Sequence, residues 1–272
     1  MIYDLSFIPL RNIYYRIIKA NRYPLYLKHQ MDKKICNMHN IHKGESCFII
    51  GNGPSLNISD LEQISKLEIK TFATNSIYKI FNETNWRPVY YCAQDQQVID
   101  KIGADFDFVI KDCKGMFVRR DVYNQLSKEV QQNEKLYLPR LVMHIRKDRY
   151  FDFSEDLSKC GFDGCTITYL MMQIAYYMGF KTIYLIGIDH NFPFLLDENE
   201  NIILDDSLKQ DFFEREEKNR INPARPYEMT MAYKSAKKFF DANGVKIFNA
   251  TRGGKLEVFE RINLDQILEG DG

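Results

Sequence analysis

From residue 46 onward, short apolar runs alternate with stretches whose apolar residues recur at helical spacing. The runs 46–50 (SCFII), 70–74 (KTFAT), 88–92 (PVYYC), 106–110 (FDFVI), 135–138 (KLYL), 182–187 (TIYLIG) and 245–249 (VKIFN) predict strands. Several are apolar throughout, as strands covered on both faces must be. Between them, Ser59-Asp60-Leu61-Glu62 predicts a capping box that opens a helix. Residues 166–178 predict an apolar helix closed by Gly179. Pro226 opens another, with Met229, Tyr233, Ala236 and Phe240 on one face and Gly244 just past its end. This alternation predicts an α/β, Rossmann-like fold: a mostly parallel sheet with helices on both faces. The segment 193–226 breaks the rhythm, running acidic up to Glu217 and then basic through Lys218, Arg220 and Arg225. Its length and its place directly after a strand end predict a lid-like insertion.

Ahead of this pattern the chain has a different character. Residues 1–34 carry Arg11, Arg16, Lys19, Arg22, Lys28, Lys33 and Lys34 against Asp4 and Asp32, interleaved with Tyr3, Phe7, Tyr14, Tyr15, Tyr23 and Tyr26. We therefore divide the chain into a basic helical N-terminal arm, 1–43, and a Rossmann-like catalytic domain, 44–272. Such an arm can make peripheral contact with an anionic membrane through residues 1–34, or pack on its own domain with a solvated basic face.

Composition narrows the classes further. The 272 residues are 45% hydrophobic and 27% charged, which suits one large globular domain or two small ones. Lys+Arg and Asp+Glu are both 37, so the global basic field of a nucleic-acid binder is absent. No run of about 18 apolar residues is present to span a membrane. The opening MIYDLSFIPLRN lacks a basic n-region followed by an apolar h-region, so no secretory signal is expected. Cys36, Cys47, Cys92, Cys113, Cys160 and Cys165 form no CxxC pair and show no zinc-finger spacing with histidine. Reduced thiols in a cytoplasmic protein are expected, with Cys47 and Cys92 as small core residues. If it meets the membrane and does not pack on its own domain, the arm would hold the protein at the inner face.

In an open parallel sheet, ligands bind beyond the carboxyl ends of the strands. Small and polar residues recur at those positions here. Gly51-Asn52-Gly53-Pro54-Ser55 follows the first strand, Thr74 and Asn75 end and follow the second, and Gln94-Asp95 follows the third. Asp189-His190-Asn191 follows the sixth, and Asn249, Thr251, Arg252, Gly253 and Gly254 follow the seventh. The GNGPS turn lets backbone approach a ligand and exposes amides to an anionic oxygen. It is neither GxGxxG nor a Walker A loop, so dinucleotide and P-loop ATP binding are disfavoured. Gly161-Phe162-Asp163-Gly164-Cys165-Thr166-Ile167-Thr168 feeds a helix N-terminus, a ready anion site with Thr166 and Thr168 as hydroxyl donors. Asp189 can orient a ribose or bind a metal, and His190 can act as base or phosphate partner. His29, His39, His42 and His144 lie off the predicted edges and read as structural or surface residues, and Asp205-Asp206 as solvated charge. No Ser-His-Asp arrangement and no metal-ligand cluster is legible.

The segments CFIIGNGPSL, FATNSIYKIF, TNWRPVYYCAQD and GCTITYLMMQIAYYMGFKTIYLIGIDHNF together resemble a bacterial and archaeal domain family named after the archaeal 6-hydroxymethylpterin diphosphokinase, the MptE-like family. The resemblance covers roughly residues 44–269. Members are common in surface-polysaccharide gene clusters. GNGPSL and the helix–GF–KTIYLIGID segment are also similar to small bacterial lipo-oligosaccharide sialyltransferases. Those have a GT-A-like Rossmann variant, use a CMP-activated sugar, need no metal and invert the anomeric centre. By that likeness Asn52 and Asn75 would contact nucleotide or phosphate, Thr166 and Thr168 would lie near the phosphate- and nucleoside-binding loop, and 193–226 would be the mobile lid. Two positions depart from it. Tyr227, beside Glu228, stands where those enzymes place a histidine base, and Asn191 where they place a tyrosine that assists the leaving phosphate.

Three functions are thus expected, in order. The first is glycosyl transfer in surface-glycan biosynthesis from a nucleotide-activated donor, a CMP-sugar, to a glycan or lipid-linked acceptor, with no cofactor. Gly51, Asn52, Gly53, Pro54, Ser55, Asn75, Asp95, Gly164, Thr166 and Thr168 would bind the nucleotide, and His190, Glu228 and Asp189 would form the catalytic group with His190 or Glu228 as base. The second is Mg²⁺-dependent pyrophosphoryl transfer from ATP to a hydroxymethylpterin, the metal held by Asp95, Asp189 and the ATP phosphates. The third is a non-catalytic nucleotide-binding scaffold. A homo-oligomer is compatible with all three.

Overall fold

Hydrophobic burial on both faces of one sheet organises the chain. In a computed structural model, residues 25–143, 150–205, 207–209, 212–213 and 223–270 are described. The strands are β1 (Ser46–Ile50), β2 (Lys70–Thr74), β3 (Tyr90–Ala93), β4 (Gly115–Val118), β5 (Leu136–Tyr137), β6 (Leu141–Val142), β7 (Gly161–Phe162), β8 (Thr182–Ile186), β9 (Phe194–Leu196), β10 (Ile202–Leu204), β11 (Lys246–Asn249) and β12 (Glu260–Arg261). Eight of them form one sheet in the order β12-β11-β8-β1-β2-β3-β4-β5. Every pairing in it is parallel, with Ser46 opposite Thr182 and Phe72 opposite Tyr90. The apolar character of the strands follows from this. Cys47 and Ile49 enter the core on one face, Phe48 and Ile50 the core on the other, and all four are fully buried.

The helices are α1 (Leu25–Cys36), α2 (Ile58–Lys66), α3 (Gln96–Ile102), α4 (Phe106–Asp112), α5 (Lys128–Gln132), α6 (Ile167–Tyr177), α7 (Pro226–Asn243) and α8 (Leu264–Glu269). α6 is buried on almost every side, and α7 stacks Tyr233, Ala236 and Phe240 against the same core. Gly244, at φ +64°, ends α7 as its position past the apolar stripe predicts. α1 places Ile35 in one core and Met31 in the other, while Lys34 sits over the Tyr137 ring. It thereby packs beside the edge strand β5, whose free backbone would otherwise invite pairing. Residues 1–24 of the expected arm lie outside the described residues, as does His144.

Two local expectations are corrected, and a third segment gains detail. Residues 106–110 form α4, not a strand: Phe106, Val109, Ile110 and Cys113 are buried at helical spacing while Phe108 is 48% exposed. The strand of that region is β4, GMFV, buried throughout. Helix α2 is capped by Asn57, whose side chain accepts from the Ser59 amide at 3.0 Å, so no capping box centred on Ser59 opens it. Within 193–226, β9 and β10 pair antiparallel around a turn held by Asp197, and Leu195 bridges to Ala224. Three-residue strands are too short to show a period, which is why this segment reads as structureless in the sequence. Among the described residues no helix is long and apolar enough to cross a membrane. The six cysteines are free, with Cys47, Cys92 and Cys113 buried.

Candidate functional site

Strand order reverses between β1 and β8: the chain steps outward to β5 on one side and to β11 and β12 on the other. A crevice at the carboxyl ends is forced where neighbouring loops diverge in this way. The cleft found there has a volume of about 180 Å³ and is lined by the ends of β1 (Gly51–Pro54), β2 (Thr74, Asn75) and β8 (Gly187–Phe192), by the start of α6 (Thr166–Thr168) and by Tyr233.

Glycine is required at its floor by close approach of backbone. The Gly51 amide donates to Ile186 O and the Gly53 amide to Gly187 O, both at 2.9 Å, which stitches the two exit loops together. A Cβ on Gly53 would collide with Asp189 Oδ2 and stand 2.7 Å from Gly187 O. Gly187 itself turns the chain at φ +63°.

Asp189, 8% exposed, belongs to the same stitching. Its Oδ2 accepts from Ser55 Oγ at 2.7 Å and its backbone oxygen accepts from the Lys255 amide at 2.6 Å. Burial pushes its carboxyl above the usual range, and the Ser55 hydrogen bond opposes this. Asp189 therefore joins the loops after β1, β8 and β11, and Ser55 contributes to the cleft by holding the turn.

The polar groups above this floor are incompletely paired. Asn52 Nδ2 donates to Thr74 O at 3.0 Å, but Asn52 Oδ1 is buried with no partner. Asn75 adopts φ +51°, a left-handed conformation that asparagine tolerates, and its Oδ1 is buried and unpartnered. His190 also has positive φ, +52°; its Nε2 meets Thr230 Oγ1 at 2.8 Å, while Nδ1 is buried without a partner. Burial pushes the imidazole down to about 4, so it is neutral at physiological pH. Phe192 and Tyr233 pack edge-on against it, with ring centres at 5.6 and 5.7 Å. Thr166 Oγ1 accepts from the Thr168 amide at 3.3 Å and caps α6, and the Tyr169 amide donates to Thr166 O at 3.2 Å, which leaves the Ile167 amide of the first turn at the cleft. The Phe212 amide of the 193–226 segment donates to Asn52 O at 2.7 Å, over the same turn.

Of the residues expected to act here, Gly51, Asn52, Gly53, Pro54, Asn75, Thr166, Thr168, Asp189 and His190 share the lining. Four others are outside it: Ser55, which holds the turn through Asp189, and three more. Asp95 caps α3, accepting from the Gln97 and Val98 amides at 2.9 and 3.1 Å. Gly164 is a packing residue, since a Cβ there would press on the Tyr169 ring and on Ala232 Cβ. Glu228 lies in the first turn of α7, 3.6 Å from Arg225 Nη1. Conversely, Tyr233 reads in sequence as a core residue but also walls the cleft, and Thr230 carries no sequence signal. Arg119, at the end of β4, went unnoticed with its strand; it donates to both Asp121 oxygens and to Gln94 O.

No curated protein matches the chain. Among solved structures, the MAf glycosyltransferase from Magnetospirillum magneticum AMB-1 aligns with TM-score 0.49 at 13% identity. The alignment covers 88% of this chain and 39% of that one, so the chain spans about two fifths of that protein's length. The family model described as 6-hydroxymethylpterin diphosphokinase MptE-like matches residues 25–193, and the chain belongs to that family.

Proposed function

We propose that the protein is a transferase that binds a nucleotide-activated donor in the β1/β8 cleft and moves its sugar to an acceptor hydroxyl. Family membership supports the transferase class. The observation that carries the site is the gathering of Asn52 Oδ1, Asn75 Oδ1 and His190 Nδ1, all buried and unpartnered, in residues that line one crevice. An orphaned buried polar group costs about 1–3 kcal/mol, so several at one place mark a surface made for a ligand.

The charge of the lining favours the kind of donor. Asp189 is its one carboxylate, and its described residues include no lysine or arginine. Amides and hydroxyls alone suit a singly charged phosphodiester, as in a CMP-sugar, better than a di- or triphosphate. In the reaction, the acceptor oxygen attacks the anomeric carbon as the bond from that carbon to the phosphate oxygen breaks. The phosphate departs with the electron pair, stabilised by the Ile167 amide at the α6 N-terminus and by the Thr166 and Thr168 hydroxyls of the lining. The acceptor proton passes to a base, Glu228 or His190. The basic residues of 1–34 would bring the enzyme to a lipid-linked acceptor at the inner membrane face.

The family description favours a second reading, ATP-dependent pyrophosphoryl transfer with Mg²⁺. The carboxylates expected to hold that ion do not fit it. Asp95 is spent on the α3 cap outside the lining, and Asp189 accepts from Ser55. Among the described residues no three His, Cys, Asp or Glu side chains gather in a metal-holding group.

A thermal-shift panel of CMP, CDP, UDP, GDP and ATP, each with Mg²⁺ or EDTA, tests these readings. CMP at about 100 times its Kd is expected to stabilise by about 2.7 kcal/mol and to do so in EDTA. In Asn52→Ala the CMP affinity should fall about tenfold, the loss of roughly one hydrogen bond that Oδ1 accepts from a ligand hydroxyl or amine. Stabilisation by ATP with Mg²⁺ alone would establish the second reading. A flat response to all five would remove the nucleotide site. CMP binding with no release of CMP from any CMP-sugar would make the protein a scaffold.

A further inference from the structure

His190 and Thr230 form a pair that neither the family match nor the sequence motifs assign. We infer that Thr230 is a positioning residue whose hydroxyl fixes the proton of His190 on Nδ1, making His190 a neutral hydrogen-bond donor to a phosphate oxygen of the ligand. This rests on the reading of the cleft as a nucleotide site.

The assignment follows from counting donors. A neutral imidazole has one N–H, and which nitrogen carries it is set by the partner of the other. Nε2 meets Thr230 Oγ1 at 2.8 Å, and Nδ1 has no partner. If Nε2 carried the proton, Thr230 would accept it. The Thr230 hydrogen would then have no acceptor among the described residues, and the Nδ1 lone pair would be unpaired as well. If the hydroxyl donates to Nε2, the Thr230 hydrogen and the Nε2 lone pair are both paired. One unmet group remains, the N–H at Nδ1 of a residue that lines the cleft. The second arrangement leaves fewer buried polar groups unsatisfied and is preferred for that reason.

The surroundings agree. His190 is held at positive φ, a conformation that costs a non-glycine residue free energy and persists where the neighbouring structure fixes it. Phe192 and Tyr233 close on its ring edge-on, so the imidazole cannot rotate freely to offer the other nitrogen. No described lysine or arginine lines the cleft, so a neutral N–H donor supplements the amides and Thr hydroxyls at a phosphate. A nitrogen that carries a proton cannot also take one from the acceptor. His190 would therefore not serve as the base through Nδ1.

The test is ring-nitrogen NMR on the ¹⁵N-labelled full chain, with the His190 signals identified by their loss in His190→Asn. The wild type should show a protonated Nδ1 and an unprotonated, pyridine-like Nε2. Thr230→Ser should keep this pattern. Thr230→Val, which matches threonine in shape and removes the donor, should move the proton toward Nε2 and weaken CMP binding about tenfold. CMP itself should shift the wild-type Nδ1–H signal. A wild-type proton on Nε2, or a Thr230→Val spectrum identical to the wild type, would overturn the assignment. CMP that stabilises the protein yet leaves the Nδ1–H signal unmoved would overturn the phosphate role. CMP that fails to bind at all would instead overturn the nucleotide reading, with the tautomer in the free protein still readable. If Thr230→Val does not fold, the wild-type and Thr230→Ser spectra decide the tautomer.

Discussion

Gly53→Ala is expected to lower stability by about 3 kcal/mol and to abolish nucleotide binding in the same step. The added carbon would meet Asp189 Oδ2 on one side and Gly187 O at 2.7 Å on the other. The side chain could swing away only by giving up the Ser55 bond, and the carbonyl belongs to the β8 exit that the Gly53 amide itself uses. The turn must therefore move as a whole, and with it Asn52 in the cleft lining. For a chain of this size the loss corresponds to a Tm roughly 6–12 °C lower. Gly103→Ala is the control: φ is −62° there and nothing stands within 4 Å of an added Cβ. That variant should be unchanged or gain up to about 1 kcal/mol by restricting the unfolded chain. Equal Tm values for the two variants would show that the two exit loops are not in contact.

Acidification should cost the wild type about 3 kcal/mol more than it costs His190→Asn between pH 7 and pH 4. Burial lowers the imidazole from its ordinary 6.5 to about 4 in the folded protein. The unfolded chain thus binds the proton more readily than the folded one throughout that interval, and stability falls with falling pH. The His190 contribution is fully present above pH 6.5 and is lost as pH drops through 4. Asparagine is the appropriate replacement because it tolerates the left-handed backbone at this position. Asp189 works in the opposite direction: its raised carboxyl pKa means that the folded state gains as that group is protonated. The difference between the two proteins isolates the histidine from this and every other acid-sensitive group. Parallel urea midpoints for wild type and variant from pH 7 to 4 would contradict a buried neutral imidazole.

Much of the site was legible because each buried strand is apolar and its end is marked by an abrupt change to small or polar residues. GNGPS, Thr74-Asn75 and Asp189-His190 stand out for that reason, and the topology brings them to one crevice. Asp95 fits the same pattern yet serves as a helix cap, since a carboxylate after a strand is equally suited to the first turn of the next helix. The alternation in FDFVI imitates a strand; counted as Phe106, Val109, Ile110 and Cys113, it has the spacing of a helix. Misreading it hid β4, and with β4 went Arg119. The contributions of α7 were unreadable for another reason. Tyr233 reaches the cleft, and Thr230 reaches His190, only because α7 packs on α6, and a long-range packing arrangement leaves no local trace.

The pairing of β1 with β8 also fixes when the site can exist. Ser46 waits for Thr182, and the GNGPS turn has no Gly187 or Asp189 to close against until that strand emerges. At roughly 5–20 residues per second, synthesis of the intervening chain takes on the order of 10 seconds. During that interval β1 presents one unpaired edge and the proposed nucleotide has nowhere to bind. A ligand can therefore rescue a slow or destabilised variant only after translation has passed β8, by drawing on the finished fold and not by guiding the nascent one.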